Sequence, residues 1–379
     1  MDFGLSEEQV MLKTSARDFL DKECPKKLVR QMIDDERGYS PDLWKKMAGL
    51  GWQGLVVPEK YGGVGSSFLD LAVLLEEMGR ALVPGPFVPT VVHCGLPIAG
   101  FGTEEQKQAL LPGIAGGDLV MTLAFTESNG GIDAADVTTE ATPAGDNFLI
   151  NGTKMFVPDA HVANYLVCVA RTRSTGDPEK GITLFIVDAK SHGITTKVLK
   201  TMTGEKLCEV TFNDVAVSRG AILGEADEGW SIMRRLLDEA EVAECAWMSG
   251  GARWVLETCV AYAGQRIQFG VPIGSFQAIQ HKCANMAVEV EGATSVTYYA
   301  AWAASENDPQ LTLAASTAKA WCSEAYRHAA LEGVQIHGGI GYTWDHDMHL
   351  YLKRAKSSEV AFGDANCHRE RVARLAGIA

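Results

Sequence analysis

The strongest constraint on the fold is a change of residue pattern partway along the chain. Residues 119–226 contain runs rich in Val, Ile, Thr and Phe, such as "VMTLAFTE", "NFLINGTKMFV" and "GITLFIVDA". Short turns such as "AGDN" separate these runs, as is typical of antiparallel strands. The residues on either side have the longer apolar spacing of helices. The sequence therefore predicts a sheet inserted between helical segments, which is an α+β fold.

Helix-start signals support the helical assignment of the first segment. Ser6 with Gln9 and Thr103 with Gln106 form capping boxes. Ser40-Pro41 places Pro at the first position of another helix. The last segment has long runs with few helix breakers, at the length of bundle helices. We predict an N-terminal α-helical domain at 1–118, a middle antiparallel β domain at 119–226 and a C-terminal four-helix-bundle-type domain at 227–379.

Charge and cysteine content limit the classes of partner. The net charge of −14 argues against binding to nucleic acid or to an anionic membrane surface, which requires clustered Lys and Arg. The nine cysteines include no CxxC pair, which favours reduced thiols and a cytoplasmic protein. The chain start is polar, and no apolar stretch is long enough to span a bilayer. No convincing set of metal ligands stands out, so we predict no metal site.

Three loops carry residue types that suit ligand binding, and each also has an ordinary structural explanation. The "TESNGGID" loop at 126–133 can bring backbone N–H groups close to a ligand or can be a plain turn. The glycines of "VQIHGGIGYTW" at 334–344 are explained by a helix C-cap. Arg266, in "QRIQFGVPIGSFQAIQH", suits pyrophosphate but an interhelix Arg is usually solvated.

One helix contains an unusual acidic face. In "LLDEAEVAECAW", Asp238, Glu241 and Glu244 follow each other at i, i+3 spacing. Such a face is ordinarily solvated. Small or apolar residues surround Glu241, however, and a carboxylate in an apolar setting has a raised pKa and can act as a base.

Taken together, these segments resemble the acyl-CoA dehydrogenase family along almost the whole chain. "AFTESNGGIDAADV" is similar to the family's "TEPxAGSD" loop, and "NGTKMFVPDA" to its "NGxKxWITN" segment. "QRIQFGVPIGSFQAIQH" resembles "RxxFGxxIxxFQ", and "VQIHGGIGYT" resembles "QxxGGxGY". Each motif is weak by itself, but four in the family's order and spacing are specific.

The resemblance implies an enzyme that binds FAD and an acyl-CoA thioester. In such an enzyme a carboxylate removes the α-proton while the β-hydrogen passes to flavin N5 as hydride. Electrons then leave to an electron-transferring flavoprotein. The resemblance also implies a homotetramer, or a heterotetramer with a homologous chain. The protein's share of the chemistry is to position the thioester and supply the base.

The resemblance also assigns roles to individual residues. Thr126 is expected at the flavin ring, and Phe156, Val157 and Pro158 match the segment that faces it. The cofactor contacts carried over are Leu123, Phe125, Thr126, Gly131, Ile132, Phe156, Val157, Pro158, Arg266, Gln268, Phe269, Gln277, Gln335, Gly338, Gly339, Asp364 and Asn366. Those from Arg266 to Gly339 match contacts to the FAD of a neighbouring subunit. The substrate contacts are Ile132, Asp238, Glu241, Phe362 and Gly363.

Three residues depart from the family pattern at these positions. Pro158 replaces a threonine whose hydroxyl reaches flavin N5, and proline offers neither a hydroxyl nor an N–H. Ile132 replaces a serine that contacts the pantetheine arm. Phe156 keeps an aromatic plane where Trp is common.

The catalytic base raises a larger question. The family's usual glutamate falls at Phe362, and the alternative position used by some members falls at Ala240. Three explanations stay open: Glu241 is the base, Asp364 is the base, or the chain is a partner subunit whose own site is silent. Asp364 also makes a good N-cap for the helix that follows.

Phe362 has its own consequence for the substrate. The family's thioester carbonyl is held partly by the backbone N–H at this position, and phenylalanine keeps that N–H. An apolar side chain here suits a bulky, branched or cyclic acyl group, and with it a role in fatty-acid or ring-compound catabolism.

Overall fold

The computed structural model describes residues 4–378, which form two compact units. The first unit contains the chain up to Arg30, then Phe68–Val83, and everything from Asp238 onward. The second unit contains Gln31–Ser67 and Pro84–Leu237. The division into three domains at 118 and 226 remains a prediction.

Helices dominate the first unit, and the second combines helices with a sheet. The helices are α1 (Glu7–Glu23), α2 (Lys26–Asp34), α3 (Pro41–Gly49), α4 (Phe68–Ala81), α5 (Leu96–Phe101), α6 (Glu104–Ala115), α7 (Trp230–Gln265), α8 (Gln277–Ser305), α9 (Leu311–His337), α10 (Met348–Val360) and α11 (Ala365–Leu375). Within residues 4–378, no helix combines the length and the apolar character needed to cross a bilayer.

The strands form one mixed sheet and a short hairpin. They are β1 (Met121–Ala124), β2 (Glu140–Ala144), β3 (Asn147–Pro158), β4 (Tyr165–Arg171), β5 (Ile182–Asp188), β6 (Ile194–Val198), β7 (Leu207–Ser218), β8 (Ile222–Leu223), β9 (Ile267–Gln268) and β10 (Val271–Pro272). The sheet order is β6-β7-β3-β2-β4-β5-β8, with β1 paired to β4, while β9 and β10 form the hairpin.

Most strand pairs of the sheet are antiparallel, as predicted, but two pairs are parallel. Strand β1 runs parallel to β4, with Met121 opposite Tyr165, and β2 meets β4 in parallel at Glu140 and Arg171. Parallel strands need a long crossover rather than a tight turn. The chain leaves β1 through the long loop 125–139 instead of a hairpin, whereas the predicted "AGDN" turn does join β2 to β3.

The predicted helix starts are confirmed. The hydroxyl of Ser6 accepts the Gln9 N–H at 3.2 Å, and the Gln9 side chain accepts the Ser6 N–H at 3.0 Å. Thr103 and Gln106 repeat this pattern, and Ser40 caps α3 with Pro41 following. Each box satisfies backbone donors that the first helical turn leaves unpaired.

Glycines allow α4 and α7 to cross closely within the first unit. A Cβ added to Gly79 would overlap the carbonyl oxygen of Trp247, and one added to Gly250 would overlap that of Glu76. The paired glycines inside α7 therefore do not break this helix. They let its backbone lie directly against α4, with Asp238 and Glu241 about three turns before Gly250.

Candidate active site

A buried lysine joins the loop after β1 to strand β3. The Lys154 side chain is fully buried, and its Nζ donates to the Phe125 carbonyl at 3.0 Å and to Glu127 Oε1 at 2.7 Å. Glu127 also accepts the backbone N–H groups of Thr138 and Thr139. The Lys154–Glu127 ion pair thus holds together three segments of the second unit: the loop after β1, strand β3 and residues 138–139.

This ion pair brings Thr126 next to the end of β3. The Met155 N–H donates to the Thr126 carbonyl at 2.8 Å. A bulge between Lys154 and Val157 then changes the direction of the strand. Phe156 lies in this bulge with a left-handed φ of 56°, and it is 54% exposed. A non-glycine residue held in this conformation stores about 1–3 kcal/mol of strain and often marks a functional site. The result is an exposed aromatic ring beside the Thr126 segment.

The other predicted residues of this unit occupy different environments. Leu123, Phe125 and Val157 are buried, while Gly131, Ile132 and Pro158 are half-buried. A Cβ added to Gly131 would overlap the Asp136 carboxylate, so the Asp136 side chain would have to move. Two hydrogen bonds give the loop 126–133 a defined conformation: the Gly131 N–H donates to Asn129 Oδ1 and the Asp133 N–H donates to Asp136 Oδ2.

In the first unit, the residues expected to reach a neighbouring subunit are exposed. Arg266, Gln268 and Phe269 follow α7, and the Phe269 side chain is 93% exposed with a φ of 52°. Gln277 is exposed at the start of α8, as are Gln335, Gly338 and Gly339 at the end of α9. The predicted helix end at these glycines is confirmed, since α9 ends at His337 and Gly338 has a φ of 64°. Their contact with a cofactor remains a prediction.

The acidic face of α7 is buried and paired, not solvated. Arg371 of α11 donates from Nη2 to Asp238 Oδ1 at 2.8 Å and from Nη1 to Glu241 Oε1 at 2.9 Å. Thr312 donates to the second oxygen of Asp238 at 2.6 Å. The guanidinium thus bridges the two carboxylates that the sequence proposes as substrate contacts.

Glu241 has the environment expected of a perturbed carboxyl group. Its side chain is 1% exposed, and its Oε2 has no hydrogen-bond partner among the described residues 4–378. Burial raises the pKa of Glu241 to about 8, although Arg371 opposes this rise. Such an environment favours the protonated form of a carboxyl group.

The turn that contains Phe362 lies next to Glu241. Phe362 and Gly363 both have left-handed φ values, 55° and 96°. The Phe362 carbonyl accepts from His368 Nε2 at 2.9 Å, and the Gly363 carbonyl accepts from Lys319 Nζ at 2.9 Å. His368 Nδ1 lies 3.9 Å from Glu241 Oε2. The family's usual base position and the proposed base are therefore separated by a single imidazole ring.

Asp364 has a structural role. Its Oδ1 accepts the N–H groups of Asn366 at 3.0 Å and Cys367 at 2.9 Å, which confirms the predicted N-cap of α11. Both Asp364 and Asn366 are exposed.

Sequence reasoning missed Glu127, Lys154, Lys319 and His368. Two of them, Lys154 and His368, could have been found from the sequence, because they lie on core-facing positions of their elements. On β3, Phe148, Ile150 and Lys154 share the core-facing parity, so a charge is directed inward. On α11, His368 follows the buried Ala365 by three residues and lies on the same face. A charged or polar side chain on a core-facing position requires a buried partner.

All three segments of the chain match profiles of one family. Residues 6–118 match "Acyl-CoA dehydrogenase, N-terminal domain", residues 122–215 the middle domain, and residues 227–377 the C-terminal domain. The chain therefore belongs to the acyl-CoA dehydrogenase family. The predicted family and fold are confirmed, as is the prediction of an enzyme, a flavoprotein oxidoreductase.

Individual relatives cover the whole length. The chain is 35% identical over 379 residues to "Probable acyl-CoA dehydrogenase YngJ" of Bacillus subtilis. This match covers 99% of each of the two chains. It matches a chain in a structure described as the electron transferring flavoprotein of Acidaminococcus fermentans, with 32% identity, a TM-score of 0.91 and 99% of both chains covered. It also matches the ChsE4-ChsE5 complex of Mycobacterium tuberculosis, with 27% identity, a TM-score of 0.91 and 100% of both chains covered.

Proposed function

We propose that this protein catalyses the FAD-dependent α,β-dehydrogenation of an acyl-CoA thioester, with Glu241 as the base. The observation that carries the proposal is the position of Glu241, which is one imidazole ring away from the turn where the family holds its glutamate. The Oε1 atom is fixed by Arg371, and Oε2 lacks a hydrogen-bond partner among residues 4–378. Oε2 is thus the oxygen that remains to accept a proton.

The residues of the second unit fit a flavin. The exposed Phe156 ring offers a flat apolar surface, and the Thr126 segment is held beside it by Lys154 and Met155. When bound, FAD supplies the hydride acceptor. The protein's residues hold the ring plane, keep water away and position the thioester. Pro158 brings no hydroxyl or N–H to this surface.

Asp364 is the weaker candidate for the base. Its Oδ1 already accepts two backbone N–H groups as the N-cap of α11, so the contacts give this carboxylate a structural role. Glu241 has a pKa of about 8, so it becomes able to accept a proton as the pH rises toward 8.

For the substrate, we propose a bulky, branched or cyclic acyl group. Phe362 is half-buried and replaces a charged side chain with an aromatic one at the family's base position. An apolar wall favours a large apolar acyl group through the hydrophobic effect. A clear preference for short straight-chain acyl-CoA would refute this part of the proposal without affecting the reaction type.

We further propose a tetramer in the cytoplasm that passes electrons to an electron-transferring flavoprotein. Several exposed apolar residues between α7 and α8 support an assembly, because a group of such side chains marks an interaction surface; they are Ile267, Phe269, Val271 and Phe276. The similarity to a chain of the Acidaminococcus fermentans structure supports the electron acceptor.

A second function is favoured by the enclosure of Glu241. Its side chain is 1% exposed, so Oε2 faces protein rather than an open cavity. In this alternative, the chain binds FAD and CoA in a heterotetramer whose homologous partner chain supplies the base. Similarity to a complex of two different chains supports this alternative.

Anaerobic reduction of the flavin separates the two functions. The chain is purified alone and mixed with a panel of acyl-CoA thioesters, and loss of the yellow flavin absorbance is followed. We expect bleaching in the native protein and in Glu257→Gln, a control that removes an exposed carboxylate from the same helix. Bleaching should be lost in Glu241→Gln and kept in Asp364→Asn.

Three other outcomes would count against the proposal. Bleaching that survives Glu241→Gln but not Asp364→Asn would make Asp364 the base. Absence of bleaching with every thioester, restored by co-expression of a homologous chain, would establish the silent-subunit alternative. Release of peroxide in air during turnover would indicate an oxidase instead.

A further inference from the structure

Two buried polar atoms face each other beneath the Phe362–Gly363 turn. Glu241 Oε2 and His368 Nδ1 are 3.9 Å apart, and both side chains are 1% exposed. Neither atom has a hydrogen-bond partner among the described residues 4–378. Buried polar atoms without partners are rare and costly, so this pair requires a physical explanation.

The hydrogen bond on the far side of the ring fixes the histidine tautomer. His368 Nε2 lies 2.9 Å from the Phe362 carbonyl, which can only accept, so Nε2 carries a proton. In a neutral imidazole, Nδ1 is then an acceptor. The facing Glu241 oxygen is also an acceptor when ionised. Only a proton between the two atoms satisfies both.

The surrounding charges decide which group holds that proton. Burial, assisted by Lys319, lowers the pKa of His368 to about 4, and burial raises the pKa of Glu241 to about 8. At neutral pH the imidazole is therefore neutral and the carboxyl group holds the proton. The other charged or titratable groups around the pair are Arg371, Asp364, Asp238, Lys319 and Cys245.

We propose that His368 is a positioning residue for the Phe362–Gly363 turn, which it holds through Nε2 while Nδ1 accepts a hydrogen bond from the protonated carboxyl group of Glu241. An approach of about 1 Å from the present separation completes this bond. The turn is thus held most firmly while Glu241 is protonated, and loosens when the proton leaves.

The left-handed conformation of the turn explains why it needs this support. A phenylalanine with positive φ is strained and persists only where its surroundings hold it in place. Lys319 holds the Gly363 carbonyl and His368 holds the Phe362 carbonyl. If Glu241 loses its proton, two acceptors face each other and the imidazole is no longer held on both sides. The proposal stands whether or not Glu241 is the catalytic base.

Hydrogen–deuterium exchange of the intact flavoprotein tests this without turnover. Exchange is measured by mass spectrometry in peptides covering residues 358–368, from about pH 6 to about pH 9, after correction for the intrinsic pH dependence. The informative amide is that of Gly363, which donates to the Val360 carbonyl. We expect protection in the native protein to fall about fivefold as the pH rises through about 8, because one hydrogen bond is lost.

Four variants make the test specific. His368→Phe should be less protected at every pH and show no step. His368→Gln, which can donate and accept, should restore much of the protection. Glu241→Gln should keep the turn protected at every pH, because its amide donates permanently to Nδ1. His328→Gln, a half-buried histidine of α9 paired with Glu289, should behave like the native protein.

The same measurements can overturn the proposal. If His368→Phe shows native protection with the same pH step, or if the step persists in Glu241→Gln, His368 does not position the turn. Should His368→Phe fail to fold, the Glu241→Gln result alone decides. Nitrogen NMR of the histidine ring gives an independent check, because the proposal requires the proton on Nε2. None of these readouts depends on flavin bleaching, so their failure differs from failure of the proposed reaction.

Discussion

Replacement of Lys154 by methionine should destabilise the second unit strongly. Lys154 is fully buried, and its Nζ lies 2.7 Å from Glu127, whose side chain is 5% exposed. The substitution keeps the length of the aliphatic chain but removes the charge, so Glu127 becomes a buried anion without a counterion. Removal of one partner from a buried pair costs about 3–5 kcal/mol in the free energy of unfolding.

The pKa of Glu127 gives a second route to this magnitude. Burial acts against ionisation of this carboxyl group, but Lys154 and the donors of Thr138 and Thr139 outweigh it and hold the pKa at about 2, against an ordinary 4.5. A difference of roughly 2.5 units corresponds to about 3 kcal/mol of stabilisation. We expect a loss near the lower end of the range, because the Thr donors remain after the substitution.

The pH dependence has a definite sign. A depressed carboxyl pKa stabilises the native protein above the unfolded pKa near 4.5, and this contribution is lost as the pH falls toward 2. In Lys154→Met the carboxyl pKa should rise instead, so protonation relieves the buried charge. The difference in stability between native protein and variant should therefore shrink as the pH falls from about 7 to about 4.

Chemical denaturation, followed by fluorescence and by flavin release, measures these differences. The double variant Lys154→Met with Glu127→Gln should be more stable than Lys154→Met, because no buried charge is left unpaired. The control Lys197→Met, at an exposed position of β6, should change the free energy of unfolding by less than about 0.5 kcal/mol. A Lys154→Met loss below about 1 kcal/mol, or one that does not vary with pH, would refute the reasoning.

Three further predictions test α7 and α11. Gly250→Ala should cost several kcal/mol in a melting experiment, because its methyl group would overlap the Glu76 carbonyl, whereas Gly264→Ala in the same helix meets no atom and should stabilise by about 0.5–1 kcal/mol. Asp364→Ala should lower the free energy of unfolding by about 1 kcal/mol through loss of the N-cap. The rate of flavin reduction by substrate should rise with pH through about 8, as Glu241 ionises, whereas Glu241→Gln should show no reduction at any pH.

Local features of the fold could be predicted because their causes lie within a few residues. The capping boxes at Ser6 and Thr103 depend on partners three positions away, and the structure confirms both. The parallel pairing of β1 with β4 could not be predicted, because Met121 meets Tyr165 far along the chain and nothing local specifies that neighbour. The tight turns that suggested antiparallel pairing described only the strands they join.

The same distinction explains the candidate site. The burial of Glu241 could be predicted from its apolar neighbours, but the ion pair with Arg371 could not, since the two residues are 130 positions apart. Arg371 determines which oxygen of Glu241 can exchange a proton. It binds Oε1, while Oε2 faces His368 Nδ1. The role of Asp364 was open from the sequence, and only its contacts show that α11 uses it as an N-cap.

Polar residues on core-facing positions nevertheless indicate where such partners must exist. Lys154 has the inward parity of Phe148 and Ile150 on β3, and His368 follows the buried Ala365 by one helical turn. A protein cannot bury an ammonium group or an imidazole without hydrogen-bond partners unless something compensates. The lysine therefore implies a buried acid, here Glu127. The imidazole implies a partner on each side of its ring, and the Phe362 carbonyl and the Glu241 carboxyl group lie at those two sides.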